Sequence, residues 1–331
     1  MRDVAERAGV SLKTVSRVVN GEPGVRSEMQ GRVEEAIAAL GFRRNVAARS
    51  LRMGHPIGSI GLVVADLMNP FYSAVASAVE GVARRHDTAL IISSSSEDAH
   101  SEQGAVLTLL ARPVDGLIVV PVGDDHRYLE RERQLGARVV FLDRAGGMIE
   151  ADAVVLDNVG GARRAVEHLL RRGHRRIGFV GDPATVHTAV ERLEGYRAAL
   201  AAAGIPFDPD LVRMTSSAPE VSESAAGQLL ALEVQLTAIF AANNRHCVGT
   251  LRAVRAAGRP VAIVGFDDLE LADLLPIPVS VIAYDPGELG RAAAELLFSR
   301  MAGDSRPPQR IVVPTRLIQR GTGELPPSPS R

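Results

Sequence analysis

The residues in this sequence best suited to grip a small molecule stand at the ends of apolar runs. Asp66 closes IGSIGLVVAD, Asp157 closes DAVVLD, Asn243 closes LTAIFAAN, and Asp267 follows PVAIVGF. Carboxylate and amide side chains hydrogen-bond to hydroxyl groups, and in open α/β sheets ligands lie beyond the carboxyl ends of the strands. Phe71 and Tyr72 come just after the first run, where an aromatic face could stack on a ring. Arg192, inside TAVERLEGYRAAL, offers a planar fork that suits hydroxyl or carboxylate oxygens. Each acid taken singly reads more readily as a loop or helix cap, because Asp and Asn also serve those positions.

Reaction chemistry leaves no comparable trace. There is no Walker A loop, no dinucleotide-binding glycine fingerprint after the first run and no His-Glu-x-x-His. A glycine-x-serine-x-glycine elbow is also missing. The eight histidines are scattered without ligand spacing, and the one cysteine, Cys247, cannot form a disulfide within the chain. These features predict a binding protein rather than an enzyme, without metal or cofactor. An unpaired cysteine, a charged N-terminus and no stretch near the roughly 18 apolar residues of a membrane helix predict a cytoplasmic protein with no membrane partner.

The elements that must hold these residues are short continuous apolar runs alternating with amphipathic stretches such as FYSAVASAVEGVARR and RRAVEHLLRRG. Unbroken hydrophobicity marks strands covered on both faces, as in parallel sheets. Nine such runs between Ile57 and Tyr284 fit two doubly wound lobes better than one. The last ten residues, TGELPPSPSR, read as a disordered tail over 322–331. No leucine heptads precede them to assemble a coiled coil.

The first 56 residues differ in charge and pattern. They carry a net charge of +4 against −5 for the remainder, which is consistent with a polyanionic partner for this end. Three short helices fit. Val4, Ala5 and Ala8 share one face of the first, which Gly9 ends; Ser11 is placed to cap the second, where Val15, Val18 and Val19 face inward. The third opens with a capping box from Ser27 to Gln30 and buries Val33, Ala36, Ile37 and Leu40. AGVS, linking the first two, is the tight turn of a helix-turn-helix, whose second helix enters the major groove. Leu12, Lys13 and Thr14 occupy its exposed first turn, with Arg17 one turn on. A generic three-helix unit with a solvated face fits the spacing about as well.

DVAERAGVSLKTVSRVVNG followed by RVEEAIAALGFRRNVAARSLR resembles the DNA-binding head of the lactose/galactose repressor family. DLMNPFYSAV, VDGLIVVP, HLLRRGHRRIGFVGD, ERLEGYRAAL, AIFAANN and AIVGFDD resemble that family's core, of the periplasmic-binding-protein type, so that the likeness runs to about Gly321. The resemblance implies a helix-turn-helix head over 1–44, a hinge helix and linker over 45–56, and a two-lobed effector-binding and dimerisation core over 57–321. In the head, Leu12, Lys13 and Arg17 would read bases, while Ser11, Thr14, Ser16 and Asn20 would touch phosphates or brace the turn. In the hinge, Asn45 would begin a helix, Ala48 would let two hinges approach, Arg49 would sit near phosphate, and Leu51 would wedge between base steps. Seven residues cannot hold a helix alone, so the hinge is expected to order on DNA. Asp66, Asn69, Phe71, Tyr72, Asp157, Thr188, Arg192, Asn243 and Asp267 would line the effector pocket. The implied protein is a homodimeric repressor of double-stranded, pseudo-palindromic operator DNA, controlled by a small molecule, a sugar by preference. The competing expectation is a solute-binding protein of a transport system, which would share the core but not the head.

Overall fold

The computed structural model describes residues 1–19, 21–42, 58–112, 114–233 and 235–327. The chain divides into two compact units, Met1–Ile57 and Gly58–Arg331. Asn20, Asn45, Ala48, Arg49 and Leu51 lie outside the described residues.

The first unit has the three expected helices, α1 (Arg2–Ala8), α2 (Leu12–Val19) and α3 (Ser27–Leu40). Gly9 takes the left-handed conformation at φ 60° that stops α1, and its amide bonds back to the helix. Two residues later the Ser11 hydroxyl accepts from the Thr14 amide at 3.1 Å and starts α2. Val4, Ala8, Val15, Val33 and Ala36 form a small core, with Ala5, Val18, Val19 and Ile37 packed at its border. Two details of the third helix differ from the sequence reading. Leu40, the last residue of the helix, is exposed. Arg26, not Ser27, is the N-cap, and Gln30 bonds forward to Glu34 at 2.8 Å instead of closing a capping box.

The second unit holds two six-stranded sheets. The first runs β11 (Arg310–Val313), β5 (Asp152–Leu156), β4 (Val139–Asp143), β3 (Gly116–Val119), β1 (Ser59–Val64) and β2 (Ala89–Ser94) from edge to edge. The second runs β12 (Arg316–Ile318), β10 (Ser280–Ala283), β9 (Ala262–Phe266), β8 (Ala238–Ala241), β6 (Ile177–Gly181) and β7 (Val212–Met214). All pairings are parallel except that of β10 with β12. The nine apolar runs became β1 to β6 and β8 to β10. The strands β7, β11 and β12 have no such run: each is a sheet edge of only three or four residues, half-covered and carrying an arginine.

Each lobe is completed by chain from the far side of the sequence. The helix Asn158–Arg171 follows β5 of the first sheet yet packs on His187–Ala202 in the second lobe; Pro286–Met301 follows β10 and packs on Pro70–Arg85 in the first. The chain therefore crosses between lobes three times, at Asp157, at Tyr284–Asp285 and at Pro314–Thr315. The expected tail is corrected for its first residues. Thr322–Glu324 form a 3-10 turn, Thr322 donates to the Ile263 carbonyl at 2.7 Å, and Glu324 pairs with His168 at 2.8 Å and with Arg172. Proline-rich composition could not reveal these bonds, which need Ile263 and His168 brought from elsewhere.

Candidate functional site

Between the lobes, beyond the carboxyl ends of both sheets, lies a chamber of about 200 Å³. Eight of the nine predicted effector residues line it: Asp66, Asn69, Phe71, Tyr72, Thr188, Arg192, Asn243 and Asp267. Asp157 does not. Its carboxylate caps the helix Asn158–Arg171 by accepting from the Gly160 amide at 2.9 Å, and it accepts from Arg164 at 3.1 Å. Arg164 also donates to the Thr315 carbonyl at 2.9 Å. Asp157 is thus part of a tie between two lobe crossings, the capping alternative that its sequence position left open.

The first lobe supplies an apolar shelf. Asn69 caps the helix Pro70–Arg85 by accepting from the Phe71 amide at 3.1 Å, and Pro70 fixes the first turn. This start turns Phe71 and Tyr72 to the chamber, their rings edge to face with centroids 4.8 Å apart. Tyr284, at the end of β10, meets Phe71 edge to face at 6.0 Å. Burial holds the phenols of Tyr72 and Tyr284 well above their ordinary pKa, so both present neutral hydroxyls.

Arg192 is held by four partners. Its Nε donates to Asn158 Oδ1 at 2.9 Å, one Nη donates to the Ala242 carbonyl at 2.6 Å, and the guanidinium lies 3.9 Å above the Phe266 ring. The other Nη faces Asp267 at 3.9 Å. Asp267, at φ 69°, accepts from the Tyr284 hydroxyl at 2.7 Å and from the Asn244 amide at 3.2 Å. Such a wall is preorganised: few rotamers remain to be frozen when a ligand enters.

Several lining residues escaped the sequence reading: Glu97, Asp143, Arg144, Asp182, Arg245 and Tyr284. Asp143 and Asp182 end the runs ARVVFLD and RIGFVGD, so the rule that found Asp66 would have found them too. Burial pushes the Asp143 carboxyl up to about 6, against the pull of Arg144 and Arg192. Asp182 goes the other way. Burial opposes its charge, but His246, Arg192 and Asn243 together hold it below the ordinary carboxylate range.

Asp182 belongs to a chain that has the residue types of a catalytic triad. Ser222 Oγ and His246 Nδ1 are hydrogen-bonded at 3.0 Å, and His246 Nε2 lies 3.2 Å from Asp182 Oδ1. The order relative to the chamber is inverted, however. Ser222 and His246 are wholly buried, and the acid lines the cavity. The hydroxyl cannot reach a ligand, so the chain orients Asp182 instead of arming a nucleophile. Cys247, also buried, has its thiol pushed up to about 12 by burial and is inert. Among the described residues no group of His, Cys, Asp or Glu could hold a metal ion.

Two contacts close the chamber across the lobes. Asp66 pairs with Arg245 at 2.8 Å, and Asn244 donates to Asn69 at 2.9 Å. In the other unit, Ser11, Leu12, Lys13 and Arg17 stand exposed on α2 and its cap, while Thr14 and Ser16 are half-buried. Leu12 is 48% exposed on the first turn of α2.

Residues 1–45 match the model of bacterial regulatory proteins of the lacI family, and residues 166–322 match that of a periplasmic binding protein-like domain. The HTH-type transcriptional regulator CelR of Thermobifida fusca is 33% identical over 333 residues, 97% of each chain. The lac repressor dimer bound to operator and the anti-inducer ONPF superposes with a TM-score of 0.83 at 28% identity, over 97% of this chain and 98% of that one. A lacI-family regulator from Enterococcus faecium with bound ribose gives a TM-score of 0.72 at 26% identity, over 82% and 100%. No described helix is long and apolar enough to cross a membrane.

Proposed function

The chain belongs to the lacI family of bacterial regulatory proteins, and from that premise we propose that it is a cytoplasmic, homodimeric repressor whose hold on operator DNA is set by a sugar. The observation that carries this reading is the presence, in one chain, of an exposed recognition helix and a walled chamber between two lobes. The chamber offers aromatic faces, neutral phenol hydroxyls and carboxylates, which is the set that binds sugar rings by stacking and by hydrogen bonds. The ribose held by the Enterococcus faecium regulator supports that choice. The head argues against the transport reading, since a solute-binding protein has no use for α2.

In the repressor, Leu12, Lys13 and Arg17 meet base edges, and Ser11, Thr14, Ser16 and Asn20 position the helix on phosphates. On the sequence resemblance, Asn45 is assigned to the start of the hinge helix, Ala48 to the contact between two hinges, Arg49 to phosphate and Leu51 to the minor groove. The sugar acts by binding two arrangements of the lobes unequally, with a coupling of about 1 to 3 kcal/mol. The ties between Asp66 and Arg245 and between Asn69 and Asn244 span the two lobes, so an arrangement that parts the lobes would break both, and the bias is felt there.

The test begins by selecting the preferred site from random duplex DNA and measuring binding with and without a panel of sugars. Lys13→Ala should lose about 1 to 3 kcal/mol on the selected site and less on random duplex at the same salt. An equal loss on both would make Lys13 a phosphate contact. Arg192→Ala should keep its affinity for the selected site but no longer respond to the sugar that moves the wild type. A response at the wild-type concentration would remove Arg192 from the pocket.

A further inference from the structure

The cleft does not end at the chamber. A second cavity of about 130 Å³ adjoins it, walled by Pro121, Gly123, Ala145, Gly146 and Gly147 of the first lobe and His187 of the second. Arg144 and Thr185 line both cavities, so the two share a wall. That wall is fixed. A side-chain carbon at Gly147 would run into the Asp124 carbonyl, and one at Gly146 into the Phe141 ring, so this loop is glycine backbone packed without slack.

Arg144 marks the junction and has one donor to spare. It is 5% exposed; its two Nη groups bond Glu97 at 2.8 and 2.7 Å, and one also reaches the Pro121 carbonyl at 3.2 Å. Its Nε has no hydrogen-bond partner, the nearest carboxylate oxygen being that of Asp143 at 3.6 Å. A buried donor without an acceptor is a standing cost that a bound oxygen would remove. The guanidinium cannot swing out to clasp an anion, because Glu97 holds its fork. Arg245 is committed to Asp66 at 2.8 Å, and Arg192 keeps one Nη 3.9 Å from Asp267, beyond hydrogen-bond reach. Five carboxylates, Asp66, Glu97, Asp143, Asp182 and Asp267, stand against three guanidiniums in the chamber wall, so a phosphate or carboxylate on the ligand would meet net negative charge.

We propose that the effector is an uncharged saccharide of two units. One ring occupies the chamber against Phe71, Tyr72 and Tyr284, the second unit fills the side cavity, and an ether or hydroxyl oxygen between them accepts from Arg144 Nε. This rests on the sugar reading above and adds its size and charge.

Calorimetric titration of the full-length protein tests it. The probes are cellobiose, maltose, lactose and sucrose, the monosaccharides glucose, galactose and fructose that compose them, and glucose 6-phosphate. At least one disaccharide should bind about tenfold or more tighter than either of its constituents. Ala145→Leu fills the side cavity and should abolish that advantage. His187→Trp crowds the same cavity from a largely exposed position and should act likewise if the leucine variant fails to melt cooperatively. Constituents that bind as well as every disaccharide, an advantage that survives both variants, or glucose 6-phosphate binding tighter than glucose would each overturn the proposal. Binding by none of these sugars would remove the sugar reading itself, and the proposal with it.

Discussion

Asp143 shows how the site strains a single residue. Its carboxyl is raised to about 6 because burial outweighs Arg144 and Arg192. The folded protein therefore holds that proton more tightly than the unfolded chain, whose aspartates titrate near pH ~4. Its contribution to stability is complete below the unfolded pKa and is lost as pH rises through about 6. Asp143→Asn keeps a side chain that tolerates the φ of 68° and removes the ionisation. It should raise the melting temperature at pH 7, each pKa unit being worth about 1.4 kcal/mol, with the gain fading toward pH 4. Melts across that range check it, and a gain equal at both ends, or a loss at pH 7, would show that the charge is not what costs stability.

Among the elements, the helix Asn158–Arg171 packs in the second lobe, and Asp157 governs how it starts. Removing an N-cap costs about 1 kcal/mol, and here it also releases Arg164 from one of the two crossings that it ties. Asp157→Ala should therefore lower thermal stability and leave effector binding measurable, in contrast to Arg192→Ala. Abolished binding with unchanged stability would return Asp157 to the pocket and refute the capping assignment. The same helix shows why sequence position misled. The residue closing DAVVLD lies at a strand's carboxyl end as expected, but the chain leaves for the other lobe there, and the acid turns to its own helix.

For the whole molecule, the unmatched feature is an apolar loop. Leu271, Leu274, Leu275 and Ile277 are exposed close together in sequence, Leu274 by 75%. Clustered exposed apolar residues mark an interface more often than an accident, and the proposed homodimer gives this loop a use. Leu274→Arg should shift the protein to monomer in sedimentation. It should also weaken binding to a two-half-site operator far more than to a single half-site, because only the dimer engages both halves. A variant that stays dimeric would place the interface elsewhere.

The sequence alone determined whatever depends on local periodicity. The recognition helix follows from Gly9, Ser11 and the spacing of Val15, and the nine central strands follow from apolar runs that burial on both faces demands. It also found part of the chamber, Asp66, Asn243 and Asp267 among it, since position at a strand's end is a sequence property. Only the tertiary structure decided which of those ends face each other. Edge strands such as β7 carry no continuous apolar run, and the pairing of Asp66 with Arg245 joins residues far apart in the chain. Asp157 went to a cap, Asp182 to a buried histidine, and Thr322 to the second sheet for the same reason. A polar side chain takes the partner that folding brings within hydrogen-bond reach, and periodicity carries no information about that partner.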